Sequence, residues 1–75
     1  MRTLLDMPVG SKCMVSLINK KASAAKRLVE MGISKGVAIE VIRVAPLGDP
    51  IEVKVKGYLL SIRKEEAANI DVVRT

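Results

Sequence analysis

The chain has 75 residues and a formal net charge of +5 at pH 7, which fits one domain over residues 1–75. Its single cysteine excludes an internal disulfide, and the lack of histidine removes the commonest general base and transition-metal ligand. Hydrophobic residues make up 49% of the sequence, yet it has no Phe or Trp and one Tyr. Aliphatic, often β-branched residues must build the core, which predicts a mostly β fold.

Composition also bears on location. A secreted domain of this size usually carries several disulfides, so a chain without them favours a reducing, cytoplasmic setting. The first residues contain no apolar stretch long enough for a signal peptide. No segment approaches the roughly 20 apolar residues of a transmembrane helix. We therefore expect a membrane to matter only through a partner.

The predicted elements begin with an entry segment over residues 3–10, in which Leu4 and Leu5 pack down. Residues 11–18 alternate as in a half-buried strand, whose apolar face carries Cys13, Val15 and Leu17. No Cys or His lies near Cys13 in the sequence, so we interpret it as a core residue. The alternative is a reactive or metal-contacting thiol.

A short helix follows. Ser23 is its candidate N-cap, because a Ser hydroxyl accepts hydrogen bonds from the first free backbone N–H groups. Ala25, Leu28 and Met31 recur at three-residue spacing and share one helix face. Gly32 comes next, where a left-handed residue closes the last carbonyls of a helix. The helix is therefore expected to end at Met31.

The rest of the chain reads as strands and tight turns. Gly36 suits the third position of a type II turn, and Lys56-Gly57 suits a hairpin turn. Between and after these turns we predict strands over residues 37–45, 51–56, 58–63 and 70–73, a proline-stiffened loop over 45–50 and one helical turn over 64–68.

Several motifs occur together in one order and spacing. They are Arg27-Leu28-x-x-Met31-Gly32-Ile33-x-x-Gly36, Ala45-Pro46-Leu47-Gly48-Asp49-Pro50-Ile51, Gly57, Leu60-x-Ile62-Arg63 and Glu66-Ala67-x-x-Ile70-x-Val72. Over nearly the whole chain, this pattern resembles the ferrous iron transport protein A (FeoA) family. Lys35 departs from it, since the family often has proline there, and leaves the turn slightly less rigid.

The resemblance implies an SH3-like barrel of about five strands, with one short helix inserted after the first strand. It also implies an accessory protein of bacterial ferrous iron uptake that docks on the FeoB permease, or on its GTP-binding domain, and modulates it. The runner-up is a stand-alone module related to the C-terminal domain of iron-dependent repressors. A third hypothesis is a self-associating domain, a homo-oligomer whose exposed strand edges pair.

The residue types predict no catalytic residues and no cofactor. The acidic cluster consists of Glu65, Glu66 and Asp71. Because Glu65 and Glu66 open a helical turn, where negative charge suits the helix dipole, we interpret them as structural. The chain has no phosphate-binding glycine loop and no cluster of soft ligands, so we expect a non-enzyme, and direct tight binding of Fe(II) is the less favoured of two open options.

The positive charge raises the question of nucleic acid. Proteins that bind single strands stack bases on aromatic side chains, and this chain offers Tyr58 alone. Lys26 and Arg27 are too few for a basic recognition helix. Composition therefore disfavours nucleic acid as the partner.

With nucleic acid disfavoured, we expect the partner to be a protein. Contiguous apolar patches on a surface mark protein-binding sites. Three apolar residues and three flanking basic residues form the predicted partner-binding patch: Leu47, Lys54, Lys56, Tyr58, Leu59 and Arg63. The alternatives are scattered surface hydrophobes, or a Leu47 that folds inward over the barrel end.

Overall fold

The computed structural model describes residues 2–19 and 25–75 and shows a six-stranded antiparallel sheet around an aliphatic core. In chain order, the elements are β1 (Arg2–Thr3), β2 (Lys12–Ile18), α1 (Ala25–Glu30), β3 (Ala38–Val44), β4 (Ile51–Val55), β5 (Tyr58–Ile62), α2 (Lys64–Ala67) and β6 (Ile70–Arg74). The strand order is β1-β6-β2-β3-β4-β5, so β6 lies between β1 and β2. The mostly β fold class is confirmed.

All five predicted strands are present, and the structure adds β1 within the predicted entry segment. This strand has two residues and shows no alternation; it forms because Arg2 and Thr3 pair with β6. A one-turn 3-10 helix over Leu4–Asp6 follows and points Leu4 and Leu5 in different directions. Leu4 is buried, but Leu5 is exposed, so the prediction that Leu5 packs down is wrong.

The buried face of β2 also differs from the prediction. Cys13 and Val15 are buried, but Leu17 is 51% exposed and Ile18 is buried in its place. The register against β6 shifts between Val15 and Leu17, which marks a β-bulge. One extra residue reverses the alternation beyond it, and sequence periodicity does not show such a shift.

The core is aliphatic, as the composition predicts. Its buried members come from nearly every element and are Leu4, Met7, Cys13, Val15, Ile18, Ala25, Leu28, Ile33, Ile39, Val41, Ile51, Val53, Val55, Ile62, Ala67, Ile70 and Val72. Full burial of a Val, Leu or Ile side chain contributes about 1.5–3 kcal/mol each. The strict alternation of β4 is confirmed, since Ile51, Val53 and Val55 all face inward.

The end of α1 follows the predicted pattern. Gly32 has φ +93°, its N–H donates to the Val29 carbonyl, and the N–H of Ile33 donates to the Leu28 carbonyl, each at 3.0 Å. This hydrogen-bond pair is a Schellman cap, and it turns Ile33 into the core. The proposed N-cap, Ser23, lies outside the described residues. Within residues 2–19 and 25–75, no helix has the length and apolar character needed to span a membrane.

Candidate functional site

The β4–β5 hairpin carries four of the six predicted partner-binding residues. Its turn is Lys56-Gly57, with φ of +52° and +87°, the conformation of a tight type I′ turn. Lys54 lies directly opposite Leu59, so both project from the outer face of the sheet. Leu59 is 56% exposed. We call Lys54, Lys56, Tyr58 and Leu59 the hairpin surface.

Tyr58 has a different environment from Leu59. It lies opposite Val55, on the core side of the hairpin, and keeps part of its surface exposed. Its hydroxyl donates a hydrogen bond to the backbone carbonyl of Met31, at 2.9 Å. A Cβ on Gly32 would lie 2.8 Å from the same hydroxyl. Tyr58 therefore attaches the hairpin to the end of α1 and is held in one position.

Leu47 and Arg63 lie at the other end of the hairpin. Leu47 is 94% exposed, so the hypothesis that it folds inward over the barrel end is wrong. The Asp49 carboxylate accepts a 3.0 Å hydrogen bond from the N–H of Lys64 and lies 3.9 Å from the Arg63 guanidinium. Arg63 is therefore held beside the loop that carries Leu47.

The pairing of β4 with β5 sets the separation of these two groups. Tyr58 lies opposite Val55, and Ile62 lies opposite Ile51. Four residues of strand span about 13 Å. Of the six candidates, Lys56 and Tyr58 thus lie at the turn of the hairpin, Leu47 and Arg63 lie at its other end, and Lys54 and Leu59 lie between these two pairs. Their role in binding stays a prediction.

The hairpin surface is positively charged. In the strand register, Lys54 of β4 lies opposite Glu40 of β3, and Glu40 lies opposite Lys12 of β2. One half-buried carboxylate therefore lies between two exposed amines. With Lys56 beside this row, positive charge prevails, and such a surface favours a partner with acidic groups.

Glu66 shows a role that the sequence did not reveal in full. It is buried, its Oε1 accepts a 2.9 Å hydrogen bond from the N–H of Arg63, and its Oε2 pairs with the guanidinium of Arg27. The structural interpretation of Glu66 is confirmed. Arg27 was missed because 39 residues separate it from Glu66, beyond any local pattern.

The candidate metal ligands do not come together. In the part of the chain that the structure describes, no three His, Cys, Asp or Glu side chains are grouped as a metal site requires. Cys13 is fully buried and free, which confirms its interpretation as a core residue. Burial raises the pKa of the Cys13 thiol above its ordinary value, because a thiolate is poorly solvated there.

A second exposed apolar area was not predicted. Leu17 and Val29, 51% and 56% exposed, border a groove of about 560 Å³ between β2 and α1. Lys26 and Lys35 flank it. The sequence did not indicate this groove, because the bulge in β2 moves Leu17 from the inner face to the outer one.

A model of a known protein family matches nearly the whole chain. The FeoA domain matches residues 2–74. A Porphyromonas gingivalis protein, an Fe(2+) transport protein A/Fe(2+) transporter FeoB fusion, is 33% identical over 69 residues. The match covers 92% of this chain but 8% of the fusion protein, so the chain spans a small part of that relative.

Solved structures agree with the fold. Iron(II) transport protein A from Clostridium thermocellum has a TM-score of 0.92 at 32% identity, covering 99% of this chain and 46% of that one. Stenotrophomonas maltophilia FeoA complexed with zinc, described as an SH3 domain protein, has a TM-score of 0.83 at 26% identity, covering 97% and 91%. The predicted SH3-like fold is confirmed.

A further likeness concerns the fold alone. The manganese regulator SloR has a TM-score of 0.84 at 11% identity, over 97% of this chain and 34% of that one. So distant a likeness shows a shared architecture, which many functions use. The family model, the identity to the transport proteins and the SH3-like sheet agree: this chain belongs to the FeoA domain family.

Proposed function

We propose that this protein is a cytoplasmic accessory of ferrous iron uptake that docks on a FeoB-type permease and modulates it. The observation that carries the proposal is the relative from Porphyromonas gingivalis, in which an Fe(2+) transport protein A and an FeoB transporter are one polypeptide. Domains fused in one protein often act together when they are separate chains. Docking through the GTP-binding domain of the permease would give this chain access to nucleotide turnover.

The hairpin surface is the docking site that we favour. Its tight turn and the bond from Tyr58 to Met31 hold an exposed aromatic ring and Leu59 on a rigid element. Rigid aromatic side chains are frequent binding hot spots, because little side-chain freedom is lost when they bind. Lys54 and Lys56 add the charge that steers an acidic partner.

In this proposal iron is the cargo of the permease, and the chain itself is neither an enzyme nor a direct ligand of Fe(II). The support comes from chemistry: the sequence has no histidine, and its one thiol is buried. Soft and borderline metals prefer those two ligand types. Anaerobic calorimetry with Fe(II) tests this part, and a stoichiometric binding heat would overturn it.

The docking test is an NMR titration of labelled protein with the purified GTP-binding domain of a FeoB permease, with and without nucleotide. We expect amide shifts to concentrate on residues 54–59 and Leu59→Ala to weaken binding about tenfold or more, the usual loss at a hot spot. Leu47→Ala is the matched control, because Leu47 is equally apolar, even more exposed and at the far end of the hairpin.

Other results of the titration would relocate the docking site or overturn the docking proposal. Amide shifts confined to Leu47 and Arg63 would support docking but place the binding site at the loop end of the hairpin. Shifts along Leu17 and Val29 would move it to the groove beside α1. An absence of binding both to the isolated domain and to the detergent-solubilised permease would overturn the docking proposal.

A self-associating domain is an alternative from another class. Sedimentation across a concentration series separates it from a monomeric adaptor. The likeness to SloR supports no regulatory role here, since at 11% identity it shows the fold alone.

A further inference from the structure

We propose that the free edge of β5 binds an extended, acidic segment of a partner protein, which adds a seventh strand to the sheet. The inference deepens the proposed function and rests on it for the partner's identity.

One side of β5 has no strand partner in the described chain. The sheet ends at β5, whose residues pair with β4 alone among those described. A two-residue turn makes Val55 and Tyr58 a hydrogen-bonded pair, and such pairs alternate along an antiparallel ladder. The backbone groups of Leu59 and Ser61 therefore point away from β4. Among the described residues, neither makes a backbone hydrogen bond there.

This edge lacks the features that usually block strand addition. Natural edge strands carry charges, prolines or bulges that prevent pairing with another chain. β5 reads Tyr-Leu-Leu-Ser-Ile, without charge or proline. Its register with β4 is regular throughout residues 51–62, whereas the β2–β6 and β3–β4 pairs each contain a register shift. A regular, uncharged edge is a template for another strand.

The surrounding charges select an acidic occupant. Lys54 and Lys56 flank the edge near the turn, and Lys64 follows the far end of β5. Two of the nearby carboxylates already have partners: Glu52 pairs with Arg43 at 3.7 Å, and Asp49 accepts the Lys64 N–H. Incoming acidic side chains would therefore meet lysine amines that form no ion pair within the described residues.

The same charges oppose a second copy of this chain. Two β5 edges pairing about a two-fold axis at Leu60 would place Leu59 opposite Ser61 and bring the turn that carries Lys56 toward the end of the partner strand that leads to Lys64. Both amines recur at the other end of the pair, on chains that each carry +5. Like charges brought close together repel one another and oppose such pairing. Heterologous pairing with an acidic strand is therefore preferred.

The test uses the full chain and a synthetic seven-residue peptide of alternating Glu and Val, with a Lys-and-Val peptide as control. We expect the acidic peptide to slow amide exchange at Leu59 and Ser61 about tenfold at saturation, because exchange requires the new hydrogen bonds to open. Leu60, already bonded to β4, is the internal reference. The basic peptide should leave all three rates unchanged.

The key variant is Ser61→Pro. Proline is tolerated on an edge strand when the lost N–H faces solvent, so the fold should persist, as the amide spectrum checks. This variant should lose peptide binding, whereas Ser61→Thr should keep it. If Ser61→Pro does not fold, the pair Lys54→Glu and Lys56→Glu replaces it and should reverse the preference toward the basic peptide.

The inference fails if Ser61→Pro binds the peptide as wild type does, if the shifts map elsewhere, or if charge reversal changes nothing. Dimers that disappear in Ser61→Pro would identify a second copy as the occupant and also overturn it. If the permease domain binds the Ser61→Pro variant normally, the proposed function is kept, but the β5 edge is not the docking site. If the protein binds the peptide but not the permease, the β5 edge is kept as a strand-binding site and the proposed function is overturned.

Discussion

Arg27 and Glu66 form an ion pair that joins α1 to α2, and its two members differ sharply in burial. The side chain of Arg27 is 56% exposed, while that of Glu66 is 5% exposed. The pair therefore matters chiefly because it satisfies a buried carboxylate. Removing the carboxylate also leaves the N–H of Arg63 without its acceptor.

We expect Glu66→Ala to lower the free energy of unfolding by about 1–3 kcal/mol, the range for buried donors left unpaired. Glu66→Gln should cost less, because its carbonyl oxygen can still accept from Arg63. Glu65→Ala is the matched control, since Glu65 is exposed and one residue away. Urea unfolding measures all three, and equal losses in both alanine variants would contradict the assigned role of Glu66.

Gly32 should tolerate no side chain, for two separable reasons. Its positive φ costs a non-glycine residue about 1–2 kcal/mol, and a Cβ would lie 2.8 Å from the Tyr58 hydroxyl. Gly36 also has positive φ but open space around its Cβ position. Gly32→Ala should therefore destabilise the protein more than Gly36→Ala does, as measured by thermal unfolding.

The same contact predicts coupling between Gly32 and Tyr58. Tyr58→Phe removes the hydroxyl that a new Cβ would meet and the hydrogen bond to Met31. We expect Gly32→Ala to cost less in the Tyr58→Phe background than in wild type, a non-additivity typical of contacting residues. Strict additivity in a double-mutant cycle would show that the hydroxyl moves aside freely.

Cys13 should make stability depend on alkaline pH. Because burial raises the pKa of the thiol in the folded state, the folded chain holds this proton more tightly than the unfolded one. Its contribution is complete below the pKa of the unfolded thiol and is lost as the pH rises from there toward the folded pKa. Urea unfolding from pH 7 to 10 should show a steeper decline for wild type than for Cys13→Ala. Parallel curves would show that the thiol is not the cause.

Ser11 presents a buried hydroxyl with no hydrogen-bond partner among the described residues. Its backbone is well paired, since its N–H donates to Pro8 and its carbonyl accepts from Val41. An unpaired buried polar group opposes folding, so Ser11→Ala should be neutral or stabilise the protein by up to about 1 kcal/mol. Ser61→Ala serves as the exposed control, and a clear loss of stability in Ser11→Ala alone would contradict this reading.

Local signals in the sequence were reliable where one segment determines its own geometry. The alternation of residues 51–55 identified β4 and its inward face, and Gly32 marked the end of α1. Both depend on neighbours within a few residues. The family resemblance then supplied the barrel that joins these parts.

Features that depend on distant partners were not predictable in the same way. β1 exists because β6 lies beside it, and Leu17 faces outward because β2 bulges against β6. The spatial separation of the predicted binding residues was not predictable for the same reason. Tyr58 is exposed as predicted, and of the two options left open for Leu47 the structure shows the exposed one, but the strand register that separates the two residues is a property of the folded sheet.

The position of β6 has a consequence for synthesis. Val72 pairs with Val15 on one side and with Arg2 on the other, so the last strand completes the pairing of the first two. Until residues 70–74 leave the ribosome, β2 keeps an open edge and β1 has no strand to pair with. The domain must therefore fold after translation of its whole length, and a nascent chain stalled before Ile70 would be a substrate for chaperones.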